Sequence, residues 1–255
     1  MREGPHRPRL AAALAAASRP AITALYAASG VHRAGSATTR AALARAGAKL
    51  ADGATLRIVG IGIAGHNAGC ALVELRPGEG PRLMLNYEEE RFSGVKHCGA
   101  FPSLALQAML DRLAADGLAA ADIDAWCATW DYPALAALLL RTVAEELPQS
   151  AMMLRPSAFP MLNLPLLLQA ADAQARLARA IGAPGRTPLH AMPHHENHAW
   201  FSFCASPFAA EAAPVLVSVL DGAGDSGAIS LYLAGPGGLT LWRRQTGIFD
   251  SLGLI

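Results

Sequence analysis

The chain has 255 residues, 53% of them hydrophobic and 16% charged, with a formal net charge of +1. This content buries one sizeable core or two small ones, and it excludes an intrinsically disordered chain. The near-balanced charge gives no basic footprint for nucleic acid or an anionic membrane, so a small-molecule ligand is expected.

Residues 1–53 are rich in Ala and Arg, and Glu3 is the only acidic side chain before Asp52. The run at 10–17 weakly resembles a targeting segment, but alanine is only weakly apolar and Arg19 interrupts the stretch. The segment reads as an N-terminal extension with one or two marginal helices. Residues 56–63 then form a short β-branched run ending in Gly65, His66 and Asn67, as a buried strand entering a tight turn does. Strands at 70–75 and 82–87, separated by a Pro/Gly turn at 77–81, complete three consecutive antiparallel strands.

A helix is expected from Pro102 to near Gly117, a strand at 123–129, helices at 134–146 and 164–181, and a strand at 189–192. The apolar stretches at 135–140 and 159–171 are short or broken by Pro160 and Pro165, so no transmembrane segment is expected. At Pro214 the early grammar returns: strands at 215–220, 228–233 and 239–244, with a Gly-rich turn at 221–227 and another at 235–238. The chain reads as starting a second copy of its own unit. Two βββαβα units back to back describe the ASKHA architecture, an RNase H-like, actin-type α/β fold. On this reading residues 54–213 are the first subdomain and 214–255 the start of a second. An α/β protein with two ordinary hairpins is the alternative.

Within Pro193-His-His-Glu-Asn-His-Ala199, His194 and His198 are four apart and share one face of a helix, so both imidazoles can reach one metal ion. The zincin pattern HExxH is absent, and a solvated helix start is the alternative. Asp221, expected at the end of a buried strand, supplies the oxygen ligand of a His-His-carboxylate site. Gly222 and Gly224 let backbone amides approach phosphate oxygens, although Asp-Gly also makes plain hairpin turns. His66, in the corresponding first turn, is placed to act as general base toward a hydroxyl. Glu88, Glu89 and Glu90 repel one another and favour exposure or pairing with Arg91 and Lys96. Arg91, Lys96 and His97 suit an anionic or polar substrate, and His195, offset by one from the metal pair, suits a substrate or supporting contact.

Five motifs in one order resemble the NodU-like carbamoyltransferases: residues 60–73, Glu88 to Ser93 with Lys96-His97 and Phe101-Pro102, 194–199, 220–224 and 251–254. The resemblance implies an enzyme in which ATP and carbamoyl phosphate give carbamoyl adenylate, whose carbamoyl group passes to a hydroxyl of a sugar, antibiotic or related metabolite. It implies His194, His198 and Asp221 as ligands of a divalent metal, iron first and zinc or magnesium as alternatives, with His66 assisting the acceptor hydroxyl. The histidine spacing is also similar to the HxEGH motif of the tRNA threonylcarbamoyl-transfer enzymes, with Glu196 in register and Asn197 in place of glycine. Asn67, Asp225 and Gly94 stand where the NodU-like carbamoyltransferases commonly have Asp, Glu and Arg.

By the same resemblance an adenylate-forming domain and a further acidic ligand lie beyond Ile255. The chain alone is therefore expected to be inactive and to need a carboxyl-terminal half, a separate subunit or a second copy as partner. An ASKHA phosphotransferase of the sugar or acetate kinase kind, and a non-catalytic metal-binding fragment, are the competing readings. The kinase gives the paired histidines no role. Cys70, Cys98, Cys127 and Cys204 lie far apart with no CxxC pair, which fits a reducing cytoplasm.

Overall fold

The computed structural model describes residues 7–63, 65–145, 148–154, 167, 170–183 and 187–246. The start of the helix expected at 164–181 and the motif at 251–254 fall outside them. The elements are α1 (Arg7–Ala28), β1 (Val31–Arg33), α2 (Ala37–Ala51), β2 (Leu56–Gly62), β3 (Gly69–Leu75), β4 (Arg82–Glu88), α3 (Glu90–Ser93) and α4 (Ser103–Ala115). They continue with β5 (Ala125–Ala128), α5 (Tyr132–Glu145), α6 (Ala173–Ala180), β6 (Leu189–Ala191), α7 (His194–Cys204), β7 (Val215–Gly224), β8 (Gly227–Gly235) and β9 (Gly238–Gln245).

The first sheet has strand order β1-β6-β5-β2-β3-β4. β2, β3 and β4 form the antiparallel meander expected from the turn signals, while β5 pairs parallel to β2 and β6 parallel to β5. This is the βββαβα order of an RNase H-like unit, and the α/β class read from the sequence holds. Alternation in β3 sends Cys70 and Leu72 inward to join Val59, Ile61, Leu106, Met109, Trp126 and Leu189 in the main core. Arg57 and Glu74, opposite each other on β2 and β3, pair at 2.8 Å and pin the register.

β1 is the departure from expectation. Residues 1–53 were read as an extension, yet Val31–Arg33 adds a parallel strand beside β6, and α1 packs along α5 with Tyr26 stacked on Tyr132 at 6.1 Å. Tyr26 and Val31 are part of the main core. Three residues carry no periodic signal, so only the neighbouring strand reveals β1.

The second sheet is β7-β8-β9, antiparallel throughout. Its inward residues Val217, Val219, Tyr232 and Ala234 pack on Ala199 and Phe203 of α7 to make a smaller core. β7 runs further than expected: residues 221–224 continue the strand through a register shift between Leu220 and Gly224, and the chain reverses only at Asp225-Ser226. Among the described residues no helix is long and apolar enough to cross a membrane.

The acidic run after β4 is resolved by geometry rather than by exposure. Glu89 is buried, and its carboxylate accepts from the Leu104 and Ala105 amides at 3.3 and 2.8 Å, capping α4 from outside because Pro102 has no side chain able to do so. Glu88 instead meets Arg91 at the surface at 3.4 Å. Urea denaturation of Glu89→Ala is expected to show a loss of about 1 to 2 kcal/mol, whereas Glu88→Ala stays within about 0.5 kcal/mol of the parent.

Candidate metal centre

α7 begins directly after β6, so its first turn lies at the carboxyl end of the parallel strands, the edge where open α/β sheets place ligands. Pro193 at the N-cap offers no side-chain hydrogen bond, and the His194 amide instead donates to Asp225 Oδ2 at 2.7 Å. The same oxygen accepts the Asp131 amide at 2.9 Å. One carboxylate thus joins the end of the first sheet, the start of α7 and the turn of the second sheet.

The four-residue spacing works as the helix predicts. His194 Nε2 and His198 Nε2 are 3.1 Å apart, and each faces Asp221 Oδ2, at 3.0 and 3.5 Å. Ligand atoms from these three residues lie within 4.8 Å of one another. The Gly222 amide donates to the other Asp221 oxygen at 2.6 Å. The register shift in β7 places Asp221 there, within the bulged strand rather than in a turn after it.

His194 is held tightly. Its ring stacks on Trp130 with centroids 3.6 Å apart and planes 5° from parallel. Its Nδ1 lies 3.1 Å from the Thr129 carbonyl, which also accepts from Asn197 Nδ2 at 3.1 Å. A carbonyl only accepts, so Nδ1 carries a proton and Nε2 is the atom turned toward the carboxylate. Nε2 of His194, Nε2 of His198 and Oδ2 of Asp221 are placed at these distances to share one cation, whether a proton or a metal ion. The donor set, two imidazole nitrogens and one carboxylate, suits a divalent transition metal.

Of the two contacts expected of it, His195 lies where a supporting one would, beside Asp221. It is 2% exposed, with Nδ1 2.7 Å from Ser230 Oγ and Nε2 3.8 Å from Asp221 Oδ2. A substrate has no access to a ring so enclosed, and its buried Nε2 finds no hydrogen-bond partner among the described residues. Its neighbourhood is that of Asp221. Gly224 shares it: a Cβ at that position would collide with Nε2 and Cδ2 of His195, so the space glycine leaves is taken up by the imidazole. Behind it, Arg244 Nε donates to Ser230 Oγ at 3.0 Å.

The second group of residues gathers on the first turn. The Asn67 side-chain oxygen lies 2.8 Å from Nδ1 of His66 and 3.2 Å from Nδ1 of His97, so both rings donate from Nδ1 and turn Nε2 outward as a base. Asn67 and His97 have φ of 58° and 53°, left-handed conformations that cost a non-glycine residue energy. The turn and the 97–99 loop interlock: Ala68 N donates to Cys98 O at 2.6 Å, and a Cβ on Gly99 would strike the Gly65 carbonyl. Arg91, Lys96 and His97 are exposed around Glu90, whose carboxyl the His97 amide and the charges of Arg91 and Lys96 hold below the usual range. Trp130 adjoins both groups, its indole stacked on His194 and lying near Gly65.

Sequence reading missed Thr129, Trp130, Ser230 and Asp131. Trp130, at the end of a strand predicted to be buried, was the only one with a signal.

Burial pushes the Asp221 carboxyl up, but hydrogen bonds from His194 and His198 outweigh that and hold it below the usual range. The same bond raises His198 above its ordinary 6.5, while burial lowers His195 to about 4 and keeps it neutral near pH 7. The His198 contribution to stability is therefore complete below 6.5 and lost as pH rises through its raised value. That of Asp221 is present above 3.8 and lost as pH falls through its lowered value. Thermal melts of metal-free protein are expected to lose this contribution on the alkaline side of pH 6.5, and His198→Gln to flatten that limb.

The family model for the carbamoyltransferase N-terminus matches residues 57–255. No curated protein matches the chain. Among solved structures it is similar to the Aquifex aeolicus member of the Ppx/GppA protein family at 13% identity and a TM-score of 0.38, over 77% of this chain and 53% of that one. The chain thus spans about half the length of that protein. Through the match over residues 57–255, which takes in both histidine groups and Asp221, the chain belongs to the carbamoyltransferase family as its amino-terminal domain.

Proposed function

We propose that the chain is the amino-terminal part of a cytoplasmic O-carbamoyltransferase of the NodU type, using ATP and carbamoyl phosphate to carbamoylate a hydroxyl of a sugar, antibiotic or related metabolite. Family membership supports the reaction class, and the convergence of His194, His198 and Asp221 within 4.8 Å is the observation that carries the site. These three residues would hold a divalent metal, iron by preference and zinc or magnesium otherwise. When bound, the metal supplies Lewis-acid charge beside the phosphates.

The remaining work falls to the chain's own side chains. His66, with Nδ1 tied to Asn67 and Nε2 turned outward, takes the proton of the acceptor hydroxyl as its oxygen attacks the carbamoyl carbon. The bond from that carbon to the adenylate phosphate oxygen breaks, and AMP leaves. Arg91, Lys96 and His97 hold the anionic or polar substrate beside His66, with Glu90 setting their spacing. Gly222 borders the phosphates, Gly224 makes room for the His195 ring, and His195 steadies Asp221 from behind. Adenylate formation is assigned to a carboxyl-terminal half or a separate subunit, and the chain alone is proposed to be inactive.

Metal analysis of the purified chain tests the site: about one equivalent of iron or zinc is expected, lost in His194→Ala/His198→Ala. In the complemented enzyme, with ATP, carbamoyl phosphate and polyol acceptors, His66→Ala is expected to lower kcat by about 10²- to 10⁴-fold with little change in metal content. Failure of the complemented enzyme to consume carbamoyl phosphate would overturn the activity. A chain that retains no metal would overturn the centre.

A further inference from the structure

Arg33 lies outside the stretch that matches the carbamoyltransferase family, on the strand β1 that sequence reading left in an extension. Its guanidinium reaches across to Asp131, donating from Nε to both carboxylate oxygens at 2.9 and 2.8 Å and from Nη2 to Oδ2 at 2.5 Å. Asp131 is only 5% exposed, and its Oδ1 also accepts the Ala134 amide at 3.3 Å, capping α5. A buried carboxylate in that position needs a cation.

The next link is Asp225, which is 2% exposed and takes no cation at hydrogen-bond distance among the described residues; its Oδ2 holds the amides of Asp131 and His194. Glu196, half-buried, lies within electrostatic reach of both aspartates and of Arg244. Three carboxylates thus crowd the base of α7, and Arg33 pairs with Asp131 and lies within electrostatic reach of Asp225. Remove that charge and Asp131 is left buried and uncompensated, close to the carboxylate that fixes the first residue of α7.

We propose that the amino-terminal segment is a working part of the metal centre: Arg33 is a positioning residue that, through Asp131 and Asp225, holds the first turn of α7 and so sets His194 over its site. This rests on the metal reading of His194, His198 and Asp221, and it extends the centre to a strand the family match does not include. β1 pairs with β6, and β6 leads into α7 through two residues, so the backbone couples the same two ends. Arg33 touches neither metal nor substrate.

The test uses the whole chain as Arg33→Ala, Arg33→Lys and, as a surface control, Arg176→Ala, which removes an exposed arginine paired with Asp172. Hydrogen exchange of the Asp131 and His194 amides is read in metal-free protein, and zinc affinity by competition with a chelator. Arg33→Ala is expected to speed exchange at both amides and to weaken zinc binding about ten-fold or more, as loss of an outer-shell partner does elsewhere. Arg33→Lys should recover part of each effect, and Arg176→Ala should change neither. Unaltered exchange at His194 in Arg33→Ala overturns the linkage, and so does unaltered zinc affinity in a parent that binds zinc. A parent that binds no zinc while Arg33→Ala still speeds exchange overturns the metal reading and leaves the linkage standing. Should Arg33→Ala fail to fold, Arg33→Lys carries both readouts, since it keeps the charge but loses the two-pronged contact.

Discussion

A single carboxylate oxygen governs how this molecule is assembled. Asp225 Oδ2 accepts the amide of Asp131, at the end of the first sheet, and the amide of His194, at the start of α7, while Asp225 itself belongs to the turn of the second sheet. The two sheets have separate cores, so a polar group buried at their junction decides how one meets the other. Helix amides without an internal partner are obligatory donors, and the proline before α7 cannot serve them. A second-sheet carboxylate takes that place, and the helix that carries His194 and His198 is oriented by the same bond that joins the two sheets.

The candidate centre follows from that constraint. With α7 fixed, His194 is clamped between the Trp130 face and the Thr129 carbonyl, which settles its tautomer. The irregular register of β7 brings Asp221 to the two imidazoles, and Gly224 makes room for His195 beside it. Each device is individually modest. Together they bring three ligand atoms close enough to need a shared cation, which is a sharper statement about chemistry than the presence of two histidines and an aspartate.

The first turn has its own economy. Two adjacent non-glycine residues in left-handed conformations, Asn67 and His97, are held by an interlocked loop, and the neutral amide of Asn67 still orients both imidazoles. A charged carboxylate at that position would also orient them, and in addition would make them more basic. Asparagine there supplies the orientation without the added charge. Glu90 then gathers Arg91, Lys96 and His97 in one place.

Periodicity, turn residues and helical spacing are local properties, so the sequence by itself determined the strands of both sheets other than β1, the helix after Pro102 and the shared face of His194 and His198. Side-chain period fixes which residues of a strand point inward, and 3.6 residues per turn fixes which histidines meet. Tertiary structure alone decided the rest: that Val31–Arg33 is a strand of the sheet, that β7 carries Asp221 past its expected end, that Glu89 caps a distant helix, and that His195 is sealed behind Asp221. Several of these depend on distant partners, 16 residues away for Glu89 with Ala105 and 35 for His195 with Ser230, and no local pattern encodes such pairings. A three-residue strand exists only because another strand's unpaired amides and carbonyls lie beside it, and an ion pair only because the fold removes both charges from water.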